Sequence, residues 1–562
     1  MQINAMHKMK YFRTNFVTSL SKNFIIIILV GLFYSCSTVP TTTNTHQGVV
    51  ASAHPLATKA GLDILKMGGN SVDAAVAAAF ALSVVEPYAS GLGGGGFLTI
   101  QLKDKEPVTL DYRETAPSRI SEEEYYGDSV DFKHITSVTP LAVGVPGTLA
   151  ALSLALEKYG TMKLADVMQP AIKIAREGFA ATNTLNNIAL DKYDVVSSTK
   201  ELSELYLKDG LPVEDGTIIK NEKLAETYEL IASKGTTAFY EGEIADSIFA
   251  KTNNRVSLTD LKNYEVKSKQ PIIGDYKGYT VITTAPPSGG TNLIELLNIL
   301  ENFDLEELGH NSTEYIDILA KAIRLIQIDK SNYMGDPDYE SVPVDKLVDK
   351  AYAKTAADFI SQSEPNFKWN GWEENNSESG STTSLTVVDN KGNFVSLTQS
   401  INLFFGSGIV ADGILLNNHL GNFDDTPGNK NSIAPGKRPV SSISPTILLK
   451  DGKPFLTLGT PGGSRIIGTL AQIIVNIIDF DMTLEEALDA PRIHQTKTTL
   501  HLEGGINDEV KTTLEKKGFK LNTNHSRFDK YFGGAQAIMM DYENDKLIGA
   551  ADKRRGGSAQ GY

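Results

Sequence analysis

The chain has one cysteine in 562 residues, Cys36, which excludes an internal disulfide and any thiolate metal cluster. Its nine histidines include no H-E-x-x-H pair, so neither a structural nor a catalytic metal is expected, and no cofactor is implied. Basic residues are in deficit: 53 Lys and Arg face 68 Asp and Glu, a formal net charge of -15. A nucleic-acid partner needs a basic footprint and is excluded. No serine stands in a G-x-S-x-G elbow. No apolar run is long enough to cross a bilayer as a helix. What remains, 41% hydrophobic and 22% charged residues, is ordinary globular composition rather than disorder. By length the chain holds roughly three or four domains of ~150 residues, or one large α/β unit.

The N-terminus has its own pattern. Lys8, Lys10, Arg13 and Lys22 precede the apolar run 24–33, too short for a spanning helix but right for a signal-peptide core over residues 1–35. Cys36 follows directly and resembles the lipidated cysteine of a bacterial lipoprotein. Residues 36–47, Thr-rich and polar, then read as a lipidated tether. The expected location is the bacterial cell envelope, with the protein exported and held to a membrane by its lipid. Plain secretion with an incidental cysteine is the alternative.

Further along, residues 71–85 read as a helix capped by Asn70 or Ser71 and stopped by Pro87, apolar all round and therefore buried. Residues 91–96 (GLGGGG) satisfy the dinucleotide pattern G-x-G-x-x-G, but a helix precedes them and a strand follows, the reverse of what that site needs. A tight, close-packed turn is the better reading. Residues 278–284 read as a strand and 293–300 as a helix. Residues 363–381 shift to Asn, Glu, Ser and Gly and read as an exposed linker. Strand patterns at 383–389 and 394–400 flank Asn390, Gly392 and Asn393, which signals a hairpin.

Thr382 sits where linker meets strand. A threonine at a chain's N-terminus carries its own base, because the hydroxyl attacks while the α-amine takes the proton. The reference pKa of that amine, about 7.7–8.0, suits neutral pH. Inside a chain there is no such amine, so the Ser381–Thr382 bond must break first. A Thr-Thr pair before a strand is, taken alone, more often plain structure.

Residues 380–393 (GSTTSLTVVDNKGN) resemble the segment that opens the small subunit of the γ-glutamyltranspeptidases. The similarity continues through 400–408 (SINLFFGSG), 413–418 (GILLNN), 438–446 (RPVSSISPT) and 459–465 (GTPGGSR). Upstream it takes in 91–96, 111–117 (DYRETAP) and 286–290 (PPSGG), and it runs from about residue 49 to the C-terminus. The resemblance implies an α+β fold, the αββα sandwich of N-terminal-nucleophile hydrolases, autocleaved into a large subunit, 48–381, and a small subunit, 382–562. It implies Thr382 as nucleophile, with backbone N–H groups of Gly462 and Gly463 as the oxyanion hole. Arg113, Ser441 and Ser442 match the clamp on the substrate α-carboxylate, and Asn402 a contact at the α-amino end. Ser400 replaces a usual threonine and keeps the hydroxyl. On the hairpin, Ser400 and Asn402 fall roughly opposite Thr382, with the register open by one residue.

Two departures stand out. Where the family has Gln and, three residues on, Asp for the α-ammonium, this chain has His419 and Asn422. The loop 424–436 is short and lacks most of the family's lid. The pocket is therefore expected to be open and less strict about the amine. The implied activity is γ-glutamyl transfer and glutathione hydrolysis: donors are glutathione or other γ-glutamyl compounds, and acceptors are water, amino acids or peptides. The rivals are a cephalosporin-acylase-like glutaryl amidase and an uncleaved binding lipoprotein.

Overall fold

The computed structural model describes residues 41–370 and 381–562. The signal peptide, Cys36 and the first residues of the tether, to 40, lie outside the described residues, as do residues 371–380 of the linker.

Helix α1 (Pro55–Lys66) starts on a proline and is capped by His54, whose Nδ1 accepts from Leu56 N at 3.2 Å. Helix α2 (Ser71–Val85) has the predicted bounds. The Asn70 side chain accepts from the N–H groups of Val72 and Asp73, and the Asp73 carboxylate accepts from Asn70 N, so two of the helix's orphan donors are satisfied reciprocally. Every residue of α2 is buried, as an all-round apolar helix requires.

Fourteen strands build two antiparallel sheets. In chain order they are β1 (Thr42–Thr45), β2 (Val49–Ser52), β3 (Gly95–Gln101), β4 (Val108–Asp111), β5 (Lys267–Lys269), β6 (Ile272–Tyr276) and β7 (Tyr279–Thr283). After these come β8 (Ser381–Val388), β9 (Phe394–Asn402), β10 (Thr446–Lys450), β11 (Lys453–Gly459), β12 (Gln536–Asp541), β13 (Lys546–Ala551) and β14 (Ser558–Gly561). The first sheet runs β14-β2-β8-β9-β3-β4-β5 and the second β1-β13-β12-β11-β10-β7-β6. Helices α1 and α2 cover the outer face of the first sheet. On the second lie α3 (Gly290–Leu300), α4 (Thr313–Tyr333) and α5 (Arg465–Ile478). Val49, Ala51, Val388, Phe394, Ile447 and Ile538 fill the space between the sheets. This is the expected αββα sandwich.

Because strand side chains alternate, Leu385 and Val387 of β8 face the helices while Val388 faces the second sheet. Thr382 shares the parity of Val388. It therefore looks into the space between the sheets, at the end where the strands diverge into loops.

Three sequence readings are corrected. Residues 42–45 are not tether: they pair with Leu547–Ala550 as the edge strand β1, since threonines suit a strand and the edge of β13 needs a partner. Ser381 is not linker either, but the first residue of β8, paired with Asn402. Upstream, Phe367 and Trp369 are buried, and Trp369 Nε1 donates to Asp329 Oδ2 at 3.1 Å. Two aromatics thus anchor a stretch whose composition alone looked exposed.

The glycine run 91–96 is a close-packing device. A Cβ on Gly94 would lie 2.0 Å from the Ser400 carbonyl oxygen, and one on Gly96 2.2 Å from that of Thr398. Only glycine lets β3 approach β9 this closely. Gly94→Ala is expected to destabilise the protein by about 1–3 kcal/mol and to displace Ser400; thermal melting and the extent of chain cleavage check both.

Candidate active site

Strands β8 and β9 pair in register from Val388 with Phe394 to Thr383 with Gln399. The register then shifts, and Ser381 meets Asn402. One residue of β8, Thr382, thus opposes two of β9, Ser400 and Ile401, in a β-bulge. The bulge settles the open register and turns Thr382 and Ser400 toward each other. Thr382 Oγ1 donates to the Ser381 carbonyl oxygen at 2.6 Å, and Ser400 Oγ donates to the same oxygen at 2.5 Å. The two hydroxyls are 3.2 Å apart, and Asn402 N donates to Ser400 Oγ at 2.9 Å. Asn402 holds a left-handed φ of 75°, a conformation asparagine tolerates.

The Thr382 hydroxyl therefore rests on the Ser381 carbonyl, the one it is expected to attack. Ser400 polarises that carbonyl, and its own oxygen lies within hydrogen-bond reach of Thr382 Oγ1. The back of the bulge is tied as well: Ser381 Oγ donates to Asn402 O at 2.8 Å, and Thr383 Oγ1 to Glu86 Oε2 at 2.6 Å. Burial raises the pKa of Glu86, against hydrogen bonds from Thr383 and Tyr88 and the charge of Arg555.

Gly462 and Gly463 have φ of 139° and 59° and stand just before α5. Their carbonyls accept from Arg465 N and Ile466 N. This turns the carbonyls into the helix start and sets the glycine N–H groups at a helix N-terminus, the positive end of its dipole. Pro461, the preceding residue, lines a cleft together with Thr382, Glu86, Phe404, Lys530 and Arg555.

Arg113 is buried. Its Nε donates to Pro439 O at 3.2 Å, Nη2 to Val440 O at 3.4 Å and Nη1 to Glu114 Oε2 at 3.3 Å. Ser441 and Ser442 follow directly on those two carbonyls, so the three clamp residues expected from sequence are brought together. Asp111 braces the approach, ion-paired with Arg438 at 3.0 Å and Lys269 at 2.8 Å. Burial works against the Asp111 carboxylate, but these two cations outweigh it and hold its pKa below the ordinary value.

His419 and Asn422 bound one short 3-10 turn. Burial and the Arg113 charge push the His419 imidazole down to about 4, against Glu114, which raises it. The ring is therefore neutral near pH 7, with Nδ1 2.6 Å from Glu114 Oε1. The ring is buried and carries no charge to repel an ammonium near that pH. The Asn422 amide oxygen is shielded from solvent and has no hydrogen-bond partner among the described residues. Asn431 joins this turn to the clamp, donating to Asn422 O at 2.7 Å and accepting from Val440 N at 3.0 Å. The short loop 424–436 packs down through Ile433, and Phe423 just before it, against Tyr125 and Phe132.

Sequence reasoning missed Glu86, Glu114, Lys330 and Arg555. A signal existed for Glu86, the first charged residue after twelve uncharged ones in an otherwise apolar helical run. For Lys330, on the last turn of α4 and bonded to Ser442, nothing in the sequence pointed to the site.

Residues 57–562 match the family model described as gamma-glutamyltranspeptidase. The chain is 41% identical over 530 residues to a glutathione hydrolase proenzyme of Escherichia coli (strain K12), covering 90% of each chain. It is 38% identical over 525 residues to an acylase ACY 1 proenzyme of Pseudomonas sp. (strain SE83), covering 91% of this chain and 93% of the relative. The fold is similar to the crystal structure of a cephalosporin acylase from Bacillus halodurans, with a TM-score of 0.84, 29% identity, and coverage of 94% of this chain and 98% of that one.

Ser400 Oγ donates to the carbonyl that Thr382 is expected to attack. Ser400→Ala is expected to slow cleavage of the Ser381–Thr382 bond by about 10²–10³, as loss of one oxyanion donor does, and Ser400→Thr to leave it near normal. Thr382→Ala should remain one piece. Time courses on a denaturing gel, with N-terminal sequencing of the small fragment, check this; equal rates for Ser400→Ala and wild type would remove Ser400 from the step.

Proposed function

The chain belongs to the gamma-glutamyltranspeptidase family, and on that premise we propose how its residues carry out the family's chemistry. It is an N-terminal-nucleophile enzyme, a γ-glutamyltransferase and glutathione hydrolase made as a proenzyme. The observation that carries the residue assignments is the Ser381 carbonyl held between Thr382 Oγ1 and Ser400 Oγ.

Maturation begins when Thr382 Oγ1 attacks the Ser381 carbonyl carbon. The C–N bond breaks, the proton passes to the Thr382 nitrogen, and an ester links Ser381 to Thr382. Water hydrolyses that ester, leaving a Ser381 carboxylate on the large fragment and a free Thr382 amine on 382–562. In turnover the amine takes the hydroxyl proton as Thr382 Oγ1 attacks the γ-carbonyl of the donor, and the proton moves on to the leaving amine. The γ-glutamyl ester then passes to water, an amino acid or a peptide, and Thr382 regains its proton. Gly462 and Gly463 N–H groups hold the oxyanion. Arg113, Ser441 and Ser442 hold the α-carboxylate, where a guanidinium fork and two hydroxyls match two carboxylate oxygens. Asn402, His419 and Asn422 meet the amino end.

A glutaryl side activity follows from that amino end. A carboxylate facing an ammonium makes a charge-assisted bond of roughly 1.5–3 kcal/mol, against about 0.5–1.5 for a neutral partner. Asn422 and the neutral His419 supply only the weaker kind. The difference is roughly tenfold in preference. Wild type should turn over both γ-glutamyl and glutaryl anilides, and Asn422→Asp should shift the ratio of kcat/KM toward the γ-glutamyl donor by about tenfold. A ratio that stays put, or moves toward glutaryl, would take Asn422 away from the amine. A wild type inert to both anilides would overturn the activity itself.

The same proposal covers the N-terminus. Residues 1–35 direct export, Cys36 carries lipid, and the enzyme works at the bacterial cell envelope. Cys36→Ser should move the protein from the membrane pellet to the soluble fraction, and retention in the pellet would refute the anchor.

A further inference from the structure

We infer that Lys330 is a positioning residue for the substrate carboxylate and acts through the hydroxyl of Ser442. The inference rests on the γ-glutamyl reading above and adds a second cation to its clamp.

Lys330 stands on the last turn of α4, where Met334 N donates to its carbonyl. Its backbone neighbour Asp329 is pinned by Tyr352 OH at 2.7 Å and Trp369 Nε1 at 3.1 Å, so the helix end is fixed in place. From there Lys330 Nζ donates to Ser442 Oγ at 2.6 Å. An ammonium has three donors and no acceptor, whereas a hydroxyl has one proton and two lone pairs. Ser442 must therefore accept from Lys330, and its own proton points away from the lysine. Ser441 is treated likewise: Ile443 N donates to Ser441 Oγ at 3.1 Å, and a backbone N–H can only donate. Both hydroxyls thus have a lone pair taken by a pure donor, and both can give their protons to a third group that accepts. An anion suits that place, because a carboxylate only accepts and both serines follow the carbonyls that hold the Arg113 guanidinium. Glu114, at 3.3 Å, offsets the charge of Arg113, and Lys330 adds a second cation to this end of the pocket. Of the acidic side chains near it, Asp424 on the short loop interacts with Lys330, and burial raises the pKa of that carboxyl.

The test uses three anilides: γ-glutamyl, glutaryl, and the γ-glutamyl donor with its α-carboxylate converted to a carboxamide. Lys330→Gln and Lys330→Met are made, with cleavage into two fragments and thermal melting as controls for folding. Both variants should raise KM for the two carboxylate-bearing donors by about tenfold, with kcat within about twofold. The carboxamide donor should be unchanged, and Lys330→Arg should recover most of the loss. Placed on Ser442→Ala, Lys330→Gln should add less than about twofold, because the two act as one unit. An unmoved KM, or an equal loss on the carboxamide donor, overturns the inference while leaving the γ-glutamyl reading intact. Failure of both variants to mature assigns Lys330 to the fold and overturns it as well. A wild type inert to all three donors sinks the γ-glutamyl reading and the inference with it.

Discussion

The Ser381 carbonyl oxygen accepts two hydroxyl groups at once, from Thr382 and from Ser400, and this holds only if β8 and β9 keep one register to within a residue. A slip of one would turn Thr382 toward the helices and Ser400 toward the other face. The surroundings exclude such a slip. On one side β2 pairs with β8 from Leu385 to Val388, and on the other β3 pairs with β9 from Gly95 to Gln101. The glycine run permits the second pairing, since any side chain at Gly94 or Gly96 would meet a β9 carbonyl. The bulge then adds the one residue that brings Ser400 beside the scissile carbonyl. Strand order, glycines and bulge are thus parts of one constraint on a single peptide bond.

The same arrangement explains why cutting the chain need not take the molecule apart. The bond between Ser381 and Thr382 lies inside a sheet and not between domains. Small-fragment strands β8 and β9 stay paired with large-fragment strands β2 and β3, and β7 pairs with β10 across the second sheet. The carboxylate clamp likewise draws Arg113 and Lys330 from one fragment and Ser441 and Ser442 from the other. Buried charges such as Arg113 and Glu114 are costly unless paired and hydrogen-bonded, so the small-fragment carbonyls of Pro439 and Val440 are part of what keeps the large-fragment arginine in place. Each fragment's functional groups depend on the other for their geometry.

Local signals carried much of this in the sequence. The α2 helix was legible end to end because its cap, its apolar run and Pro87 are all neighbours in the chain. The hairpin was legible because its turn is short, and it already put Ser400 across from Thr382. The bulge was not, because nothing in residues 399–402 marks where an extra residue will be accommodated; that is decided by β3 and by the Asn402 conformation. Residues 42–45 looked like tether because an edge strand of four residues needs no alternating pattern when its partner comes from residues 547–550. Trp369 looked exposed because its polar neighbours dominate the composition, while its partners, Asp329 and Tyr352, lie elsewhere in the chain. The clamp's motifs could be matched to a family, yet Lys330 and Glu114 join it through space alone.

The two ends of the substrate pocket are electrostatically unequal, and that asymmetry bears on what the enzyme accepts. At the carboxylate end stand Arg113, the ammonium of Lys330 and two hydroxyls whose protons are directed outward. Asn402, Asn422 and His419 make up the other end, none of them anionic. Glu114 is a carboxylate beside His419, but one of its oxygens is engaged by Arg113 and the other lies 2.6 Å from His419 Nδ1. Freeing it for an ammonium would leave a buried guanidinium or imidazole without its partner, which costs more than a single new bond returns. Binding energy is therefore concentrated on the carboxylate, and a donor that keeps the carboxylate but lacks the amine forfeits only neutral hydrogen bonds. A donor that keeps the amine but lacks the carboxylate forfeits the charge-assisted bonds of the proposed clamp. On these proposed assignments the clamp, rather than the amino end, sets which donors bind.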